Sequence, residues 1–385
     1  MNKNILLLAS LANSLLNFRG DFIVALLKEG YNVYAAAPEL PQEVADKLTK
    51  WGAKPLTFKL DRAGLNPLKD FKSILELKKL ILHYNIDMVF PYTIKPVIYG
   101  SIAANLAKTP VISLITGLGY TFSGASVKAK LLHQITKRMY KFSLRKNSLV
   151  IFQNEDDLIL FKKNGILSKN QRATIVNGSG VNLKKFPFRE ITVTSQNVKF
   201  VIVARLIKEK GIQLFMDTAE ELKKTYPLAE FHIIGGQAEP PSGINVDVLK
   251  RLHDDGTIIF HGLKDDVPTF LKNMHVFVLP TYYREGVPRS ILEALSVGLP
   301  VITTRTPGCK ETVITGKNGF LIPPRDLNAL IDSCRYFLDH PDVIQEMGQQ
   351  SRLLAETKFD VTIINTFLIE HINSALHVKS MSKQL

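Results

Sequence analysis

Short apolar segments alternate with helical patterns along the whole chain, and this alternation constrains the fold more than any other feature. In the first half it predicts five buried strands of four or five residues: Ile5–Ala9, Val33–Ala36, Met88–Pro91, Val111–Leu114 and Leu149–Phe152. Helical patterns such as Leu68–His83 separate them. Short apolar strands that alternate with helices are typical of parallel sheets covered on both faces. The sequence therefore predicts an α/β fold.

The alternation is interrupted by a polar segment without periodicity at residues 186–197, which we interpret as an interdomain linker. The patterns then resume, with a helix predicted at Gly211–Tyr226 and strands at Val198–Ala204, Glu230–Gly235, Thr257–Phe260, His275–Leu279 and Pro300–Thr303. We expect a first domain at 1–190, a second at 191–360, and a C-terminal helix and tail at 361–385 that returns toward the first domain. Ligands of such sheets bind beyond the carboxyl ends of the strands, and two facing domains leave a cleft.

Positive charge is concentrated in the first half of the chain. The net charge is +14, and residues 1–190 contain 28 Lys and Arg against 13 Asp and Glu, whereas residues 191–385 contain 21 against 22. No carboxylate lies between Asp87 and Glu155, although nine basic residues do. This asymmetry predicts an anionic partner, either a nucleic acid or a negatively charged membrane leaflet.

The composition excludes several classes of protein. Two cysteines, Cys309 and Cys334, are too few for a disulfide scaffold or a cysteine-rich zinc site, and they favour a reducing compartment. No stretch has the ~18 consecutive apolar residues that span a bilayer. The run Ile5–Leu11 superficially resembles a short signal peptide, but it leads directly into a helical pattern, as a buried first strand does. The turn after it lacks Gly-x-Gly-x-x-Gly, which argues against a nicotinamide cofactor, and we expect no cofactor.

The segment Leu279–Ala294 combines a strand end, a short loop and a helix start. Gly286 and Pro288 open the predicted helix, and exposed amides at a helix start form an anion site. Glu285 precedes that site and Glu293 lies within the helix, so two carboxylates flank a phosphate cradle, as a sugar nucleotide requires. The alternative is an N-terminal helix charge plus a solvated glutamate.

The segment Val203–Gly211 likewise follows a strand and opens a helix. Arg205 and Lys210 at this strand end can meet the same point of the cleft, and paired cations there suit a diphosphate. The alternative is an ordinary polar loop.

Together the two segments resemble glycosyltransferase family 4, the retaining transferases of the GT-B architecture, in which two Rossmann-like domains face each other across a cleft. The motifs are Arg-Leu-x-x-x-Lys-Gly at 205–211 and Glu-x7-Glu at 285–293. The resemblance extends over nearly the whole chain through Phe18–Gly20, Asp61–Pro67, Thr116–Tyr120, Asn177–Asn182 and Phe186. These segments are similar to a bacterial subgroup that extends undecaprenyl-diphosphate-linked sugars.

The resemblance implies a role for each donor-side residue. Arg205 and Lys210 would hold the donor diphosphate and stabilise the leaving group, and Glu285 would contact the donor sugar; these three form the expected catalytic set. Glu293 would bind the ribose hydroxyls. The phosphate would be capped by the backbone around Gly286, Val287 and Pro288. Since the two cations do the neutralising, no metal ion is expected, and the sequence has neither an Asp-x-Asp pair nor a His-rich cluster.

The acceptor side departs from the family pattern. Many members carry a His in the loop after the fourth strand, but this loop is Pro91–Pro96, without His. Lys95 is the charged candidate there for a phosphate or a sugar hydroxyl, with a solvated loop lysine as the alternative. The other acceptor-side candidates are Asn17, Arg19, Gly117 and Gly119. The alternatives for them are helix capping, helix-surface charge or a simple turn.

Residues 126–146 are predicted to form a basic amphipathic helix. Its apolar residues recur at three- and four-residue steps: Leu131, Leu132, Ile135, Met139 and Phe142. Its cations are Lys128, Lys130, Lys137, Arg138, Lys141, Arg145 and Lys146. Such a helix can lie on anionic lipid; a core-packed helix is the alternative. We therefore expect a cytoplasmic protein that is peripheral on the inner face of the cytoplasmic membrane.

The sequence thus predicts a retaining, metal-independent glycosyltransferase. It would move a hexose or N-acetylhexosamine from a nucleotide-diphosphate sugar, with UDP expected by analogy, to a polyprenyl-diphosphate-linked saccharide in bacterial glycan or polysaccharide assembly. A sugar-nucleotide epimerase of the same architecture is the alternative enzyme, and it would turn over without an acceptor. A basic nucleic-acid-binding protein is a remote alternative; with few interleaved aromatics and no recognisable module, no nucleic-acid partner is expected.

Overall fold

The computed structural model describes residues 3–60, 67–118, 127–190, 193, 197–236 and 243–381, with backbone alone at 67, 127–131 and 378–381. The chain divides into two compact units. Unit 1 comprises Met1–Ser179 and Val361–Leu385, and unit 2 comprises Gly180–Asp360. Residues 180–190, expected in the first domain, belong to unit 2 because Val181 and Phe186 are buried in its core.

Unit 1 contains only parallel strand pairs among its described residues. One sheet has the order β3-β2-β1-β4 and a second has the order β5-β6-β7. The strands are β1 Asn4–Leu8, β2 Asn32–Ala37, β3 Lys54–Thr57, β4 Met88–Pro91, β5 Ile112–Ile115, β6 Leu149–Phe152 and β7 Ala173–Ile175. Bridges from Val89 to Val111 and from Tyr92 to Leu114 join β4 to β5, so the two sheets form one continuous surface.

Helices cover both faces of this surface, as the sequence predicts. They are α1 Ala12–Asn17, α2 Gly20–Lys28, α3 Gln42–Trp51, α4 Pro67–His83, α5 Ile94–Leu106, α6 Val127–Leu144 and α7 Glu155–Lys163. Ile5 and Leu7 of β1 belong to one hydrophobic cluster, whereas Leu6 and Leu8 belong to another. Alternate residues of a strand point to opposite faces, so β1 is buried on both.

Unit 2 is a six-stranded parallel sheet with the order β10-β9-β8-β11-β12-β13. Its strands are β8 Lys199–Val203, β9 Glu230–Ile234, β10 Ile259–Phe260, β11 Val276–Leu279, β12 Val301–Thr304 and β13 Gly319–Ile322. Its helices are α8 Ile212–Lys223, α9 Val246–Asp254, α10 Val267–Leu271, α11 Arg289–Val297, α12 Leu327–Asp339 and α13 Val343–Leu354. The strand order reverses between β8 and β11, and open α/β sheets bind ligands at such a switch point.

The C-terminal helix α14, Val361–Met381, packs in unit 1. Ile364, Leu368 and Ile372 are buried in the same hydrophobic cluster as Ile5 and Leu7 of β1. Tyr31, between α2 and β2, donates a hydrogen bond to Asn373. Unit 1 is therefore completed by the end of the chain. No helix in the described residues is long and apolar enough to cross a membrane.

The sequence patterns missed three strands, β3, β7 and β13, all at sheet edges. The residues of β3 and β7 are half-buried or exposed, and neither strand has a continuous apolar run. This reason does not apply to β13, which contains the short apolar run Phe320–Ile322. The other predicted strands are confirmed, with ends shifted by at most two residues. The helix predicted at Gly211–Tyr226 begins at Ile212, after a 3₁₀ turn at Lys208–Lys210, and ends at Lys223.

His232 on β9 is buried, and the half-buried His261 lies beside it in unit 2. The His232 Nδ1 atom lies 3.0 Å from His261 Nε2, and its Nε2 lies 3.0 Å from Glu230 Oε2. Burial lowers the pKa of His232 to about 4, although Glu230 opposes the shift. Burial, with Arg189 nearby, also lowers the pKa of His275 to about 4. The imidazoles of His232 and His275 are therefore neutral in the folded protein at neutral pH.

This arrangement predicts acid-sensitive stability. Between about pH 6.5 and pH 4 the unfolded chain binds protons at these histidines and the folded chain does not, so the free energy of unfolding falls as the pH falls. The urea midpoint should therefore be lower at about pH 5 than at about pH 7.5. His232→Asn should reduce this difference, whereas His340→Asn, at an exposed site, should not. Equal pH dependence in all three proteins would contradict this explanation.

Candidate active site

Two loops meet at the switch point of the unit 2 sheet. Residues 204–211 follow β8, and residues 280–288 follow the neighbouring strand β11. Gly211 has φ +75°, and a Cβ atom there would lie 2.3 Å from the carbonyl oxygen of Pro280. Only glycine therefore permits this approach of the two loops.

Thr281 connects the loops through hydrogen bonds. Its Oγ1 donates to the carbonyl oxygen of Glu209 at 2.9 Å, and the amide of Tyr282 donates to the same oxygen at 2.9 Å. Thr304 at the end of β12 donates from Oγ1 to the carbonyl oxygen of Thr281 at 2.5 Å. Thr281 is fully buried, so three strand ends are held in a fixed arrangement. Thr281 is not among the site residues predicted from the sequence, although it lies only two residues beyond the predicted strand.

Lys210 and Glu285 form an ion pair between the two loops. Their side chains are 12% and 13% exposed, and Thr281 Oγ1 lies 3.4 Å from the same carboxylate oxygen, Oε1. The structure thus brings together two of the three expected catalytic residues, which are 75 positions apart in the sequence.

Arg205 lies on the same loop as Lys210 and is exposed. Within the part of the chain that the structure describes, its guanidinium forms no ion pair. An exposed cation at the carboxyl end of β8 can bind an anionic ligand without first breaking an internal pair.

The start of α11 differs slightly from expectation. The helix begins at Arg289, and Pro288 is its N-cap residue with φ −64°, so the proline precedes the first helical turn. Gly286, Val287 and Pro288 are buried. The positive end of the helix dipole still faces the loop that carries Glu285.

Glu293 is not the solvated carboxylate of the alternative interpretation. Its side chain is 13% exposed, and Arg289 Nε donates to Oε1 at 2.9 Å. Burial raises the pKa of Glu293, and Arg289 partly offsets this effect. The contact of Glu293 with ribose hydroxyls remains a prediction.

Asn17 and Arg19 follow β1 and Lys95 follows β4, and these are the two strands at the switch point of unit 1. Asn17 ends α1, and Arg19, only 2% exposed, has its guanidinium carbon 5.2 Å from the centroid of the Tyr92 ring. Gly117 has φ +105°. Gly119 lies outside the described residues. Arg19 is therefore a buried residue and not the helix-surface charge of the alternative.

Lys95 is in the first turn of α5 and not in a loop. Its Nζ lies 3.7 Å from Asp70 Oδ1 of α4, and both side chains are largely buried. The solvated-lysine alternative is therefore wrong. The sequence did not indicate Asp70 as a partner, because contacts between two helices are not visible in either pattern alone.

The basic helix α6 packs on unit 1 through Thr136, Tyr140, Ser143 and Leu144, which are buried. The expected apolar stripe lies beside this face: Leu132, Ile135 and Met139 are half-buried, and Phe142 is 69% exposed. Arg138, Lys141, Arg145 and Lys146 are exposed, whereas Lys137 is half-buried and donates to Asn164 Oδ1 at 3.2 Å. The side chains of Lys128 and Lys130 lie outside the described residues. The apolar stripe is thus only partly packed on the core: Met139 contacts the hydrophobic cluster of unit 1, whereas Phe142 is exposed.

Both units match known glycosyltransferase families. Residues 4–154 match the family described as glycosyl transferase 4-like, and residues 197–340 match glycosyl transferases group 1. Together the matches cover about three quarters of the chain. The chain is therefore a glycosyltransferase with a 4-like first unit and a group 1 second unit.

Comparisons with individual proteins agree with this assignment. The chain is 28% identical, over 85% of its length and 87% of the relative, to the N,N'-diacetylbacillosaminyl-diphospho-undecaprenol alpha-1,3-N-acetylgalactosaminyltransferase of Campylobacter jejuni. It is 29% identical to the UDP-Gal:alpha-D-GlcNAc-diphosphoundecaprenol alpha-1,3-galactosyltransferase of Escherichia coli, over 70% of this chain and 71% of that one. Among solved structures, the sucrose-phosphate synthase of Thermosynechococcus elongatus superposes with a TM-score of 0.79 at 17% identity, covering 98% of this chain and 100% of that one. The fold of this glycosyltransferase is therefore GT-B.

Gly308 provides a test of the loop geometry around Glu285. It has φ +84°, and a Cβ atom there would lie 1.3 Å from the carbonyl oxygen of Gly286. Gly308→Ala should therefore displace the 285–286 backbone and lower transfer activity by about tenfold or more. Gly316→Ala is the matched control, since Gly316 has φ +80° but open space around it.

Both alanine variants should lose about 1 kcal/mol of stability from the left-handed backbone. Thermal unfolding and initial transfer rates separate the two effects. Equal activity of the two variants would show that the 308 loop does not support the site.

Proposed function

We propose that this glycosyltransferase moves a hexose or N-acetylhexosamine from a UDP-sugar to a polyprenyl-diphosphate-linked saccharide, with retention of configuration and without a metal ion. The observation that carries the proposal is the contact between Lys210 and Glu285 at the switch point of unit 2. Both relatives are named for an undecaprenol acceptor that carries a diphosphate, and the Escherichia coli relative is also named for a UDP-sugar donor. Bacterial glycan or polysaccharide assembly is the corresponding process.

Arg205 and Lys210 are the proposed diphosphate ligands. Two cations at one strand end match the charge of a diphosphate and stabilise the negative charge that develops on the departing nucleotide. Because this neutralisation is done by side chains, the proposed reaction needs no metal.

Glu285 has a proposed role that follows from its present partner. Its carboxylate is bonded to Lys210. A diphosphate would compete for the Lys210 ammonium, and Glu285 would then accept hydrogen bonds from the hydroxyls of the donor sugar. The helix start at Gly286–Arg289 would hold the phosphate beside it, and Glu293 would bind the ribose.

The proposed chemistry is front-face displacement. The anomeric carbon–oxygen bond to the phosphate breaks, and the acceptor hydroxyl forms a new bond on the same face of the sugar. The departing phosphate oxygen takes the proton of that hydroxyl. The products are the extended lipid-linked saccharide and the nucleoside diphosphate, so charge and protons balance without a protein nucleophile.

The acceptor is proposed to bind at the switch point of unit 1, near Asn17, Arg19, Lys95, Gly117 and Gly119. Its lipid would keep the enzyme at the inner face of the cytoplasmic membrane. The exposed cations of α6 support this location, since each basic residue near an anionic surface contributes about 1 kcal/mol.

Ligand-dependent thermal unfolding tests the donor site. UDP at about 100 times its dissociation constant should stabilise the wild type by about 2.7 kcal/mol, which is a shift of a few degrees, with or without a chelator. Arg205→Ala and Glu293→Ala should lose the shift, whereas Lys208→Ala, an exposed cation of the same loop, should keep it. A shift that requires a metal, or that survives Arg205→Ala, would contradict the proposed site.

The anomeric configuration of the product tests the proposed mechanism. Proton NMR spectra recorded early in turnover of an α-linked UDP-sugar should show an α-linked product. An inverted product would exclude front-face displacement. A covalent glycosyl-enzyme trapped by substitution of a nearby carboxylate would also exclude it, although configuration would still be retained.

A further inference from the structure

Helix α4 has an unusual outer face. Its buried residues, Asp70, Ser73, Leu77 and Ile81, recur at three- and four-residue steps and form the inner face. On the outer face Leu68 is 79% exposed, Phe71 58% and Leu75 38%. Leu68 is the most exposed large apolar side chain among the described residues. We call Leu68, Phe71 and Leu75 the apolar ridge of α4.

The charges around the apolar ridge are positive. Lys69, Lys72 and Lys79 are exposed. The two carboxylates of the helix are engaged elsewhere: Asp70 is buried beside Lys95, and Glu76 accepts a hydrogen bond from the amide of Lys59 at 3.3 Å. A face that combines large apolar side chains with lysines is typical of helices that lie in the interface of an anionic bilayer.

The apolar ridge lies at the edge of unit 1 where the acceptor is proposed to bind. A helix that follows a parallel strand starts at the carboxyl edge of the sheet, and the contact between Asp70 and Lys95 places the first turns of α4 and α5 side by side. Leu68 lies two residues before Asp70, and Phe71 follows it directly. Helix α5 packs between α4 and α6, and all three cover the same face of the sheet.

We propose that the apolar ridge of α4 inserts into the headgroup region of an anionic membrane, with Lys72 and Lys79 against lipid phosphates. This inference rests on the proposed function for its purpose, since insertion at this edge would bring the acceptor loops to a diphosphate that is anchored in the leaflet. The apolar ridge of α4 differs from the basic surface of α6, because here apolar side chains as well as charges attach the protein to the membrane.

The test measures vesicle binding by the full chain. Leu68→Ser/Phe71→Ser should lower partition onto phosphatidylcholine vesicles containing phosphatidylglycerol by about tenfold or more. The control is Leu228→Ser/Leu353→Ser, which removes two leucines of unit 2 that are 60% and 51% exposed, and it should bind like the wild type. Lys72→Gln/Lys79→Gln should weaken binding to the anionic vesicles alone.

Unchanged partition of Leu68→Ser/Phe71→Ser would overturn the proposal, as would equal wild-type affinity for purely phosphatidylcholine vesicles. If the apolar ridge instead binds a second copy of the chain, sedimentation will show a wild-type dimer that the ridge variant dissociates, with vesicle binding intact. The unfolding temperature of each variant confirms that it is folded.

Activity assays separate this inference from the proposed function. The ridge variant should transfer sugar normally to an acceptor whose polyprenyl chain is replaced by a short water-soluble one, and poorly to the lipid acceptor in vesicles. If the wild type turns over neither acceptor, the proposed function fails, but the vesicle partition still decides the inference.

Discussion

The parallel arrangement of the strands is the constraint on which the rest of the structure depends. In each unit it places every βα loop at one edge, and the reversal of strand order places two of these loops next to each other. In unit 2 those loops carry Arg205, Lys210 and Glu285. The hydrogen bonds of Thr281 and the close approach at Gly211 then convert a general property of the fold into a defined contact between Lys210 and Glu285.

The sequence predicts the central strands well, for a physical reason. Strands such as β1 are buried on both faces, so Ile5 to Leu8 are all apolar and the pattern is continuous. At β3 the burial is partial and Pro55 interrupts the pattern, so the sequence carries little signal there. The donor-side candidates come from local motifs, and their chemistry is evident in the residue types.

The contacts of the site could not be predicted in the same way. Lys95 pairs with Asp70 because of how α4 and α5 pack against each other, and no pattern within either helix specifies this. The pair of Arg289 and Glu293 differs, because its i,i+4 spacing on one helix is visible in the sequence. The sequence also does not show which face of a helix packs on the core and which face is exposed. The apolar stripe of α6 suggested one face, whereas the packing shows Tyr140 and Leu144 inside and leaves Phe142 exposed. The outer face of α4 became evident only when its buried face was known.

The double-mutant cycle of Lys210→Met and Glu285→Gln tests the central claim most directly. If the two residues act as a unit on the donor, each single substitution should lower kcat/KM by about 100-fold or more, and the double variant should lose much less than the product of the two. Losses that multiply would mean that the residues act independently. Near wild-type kcat/KM in either single variant would place the catalytic site elsewhere.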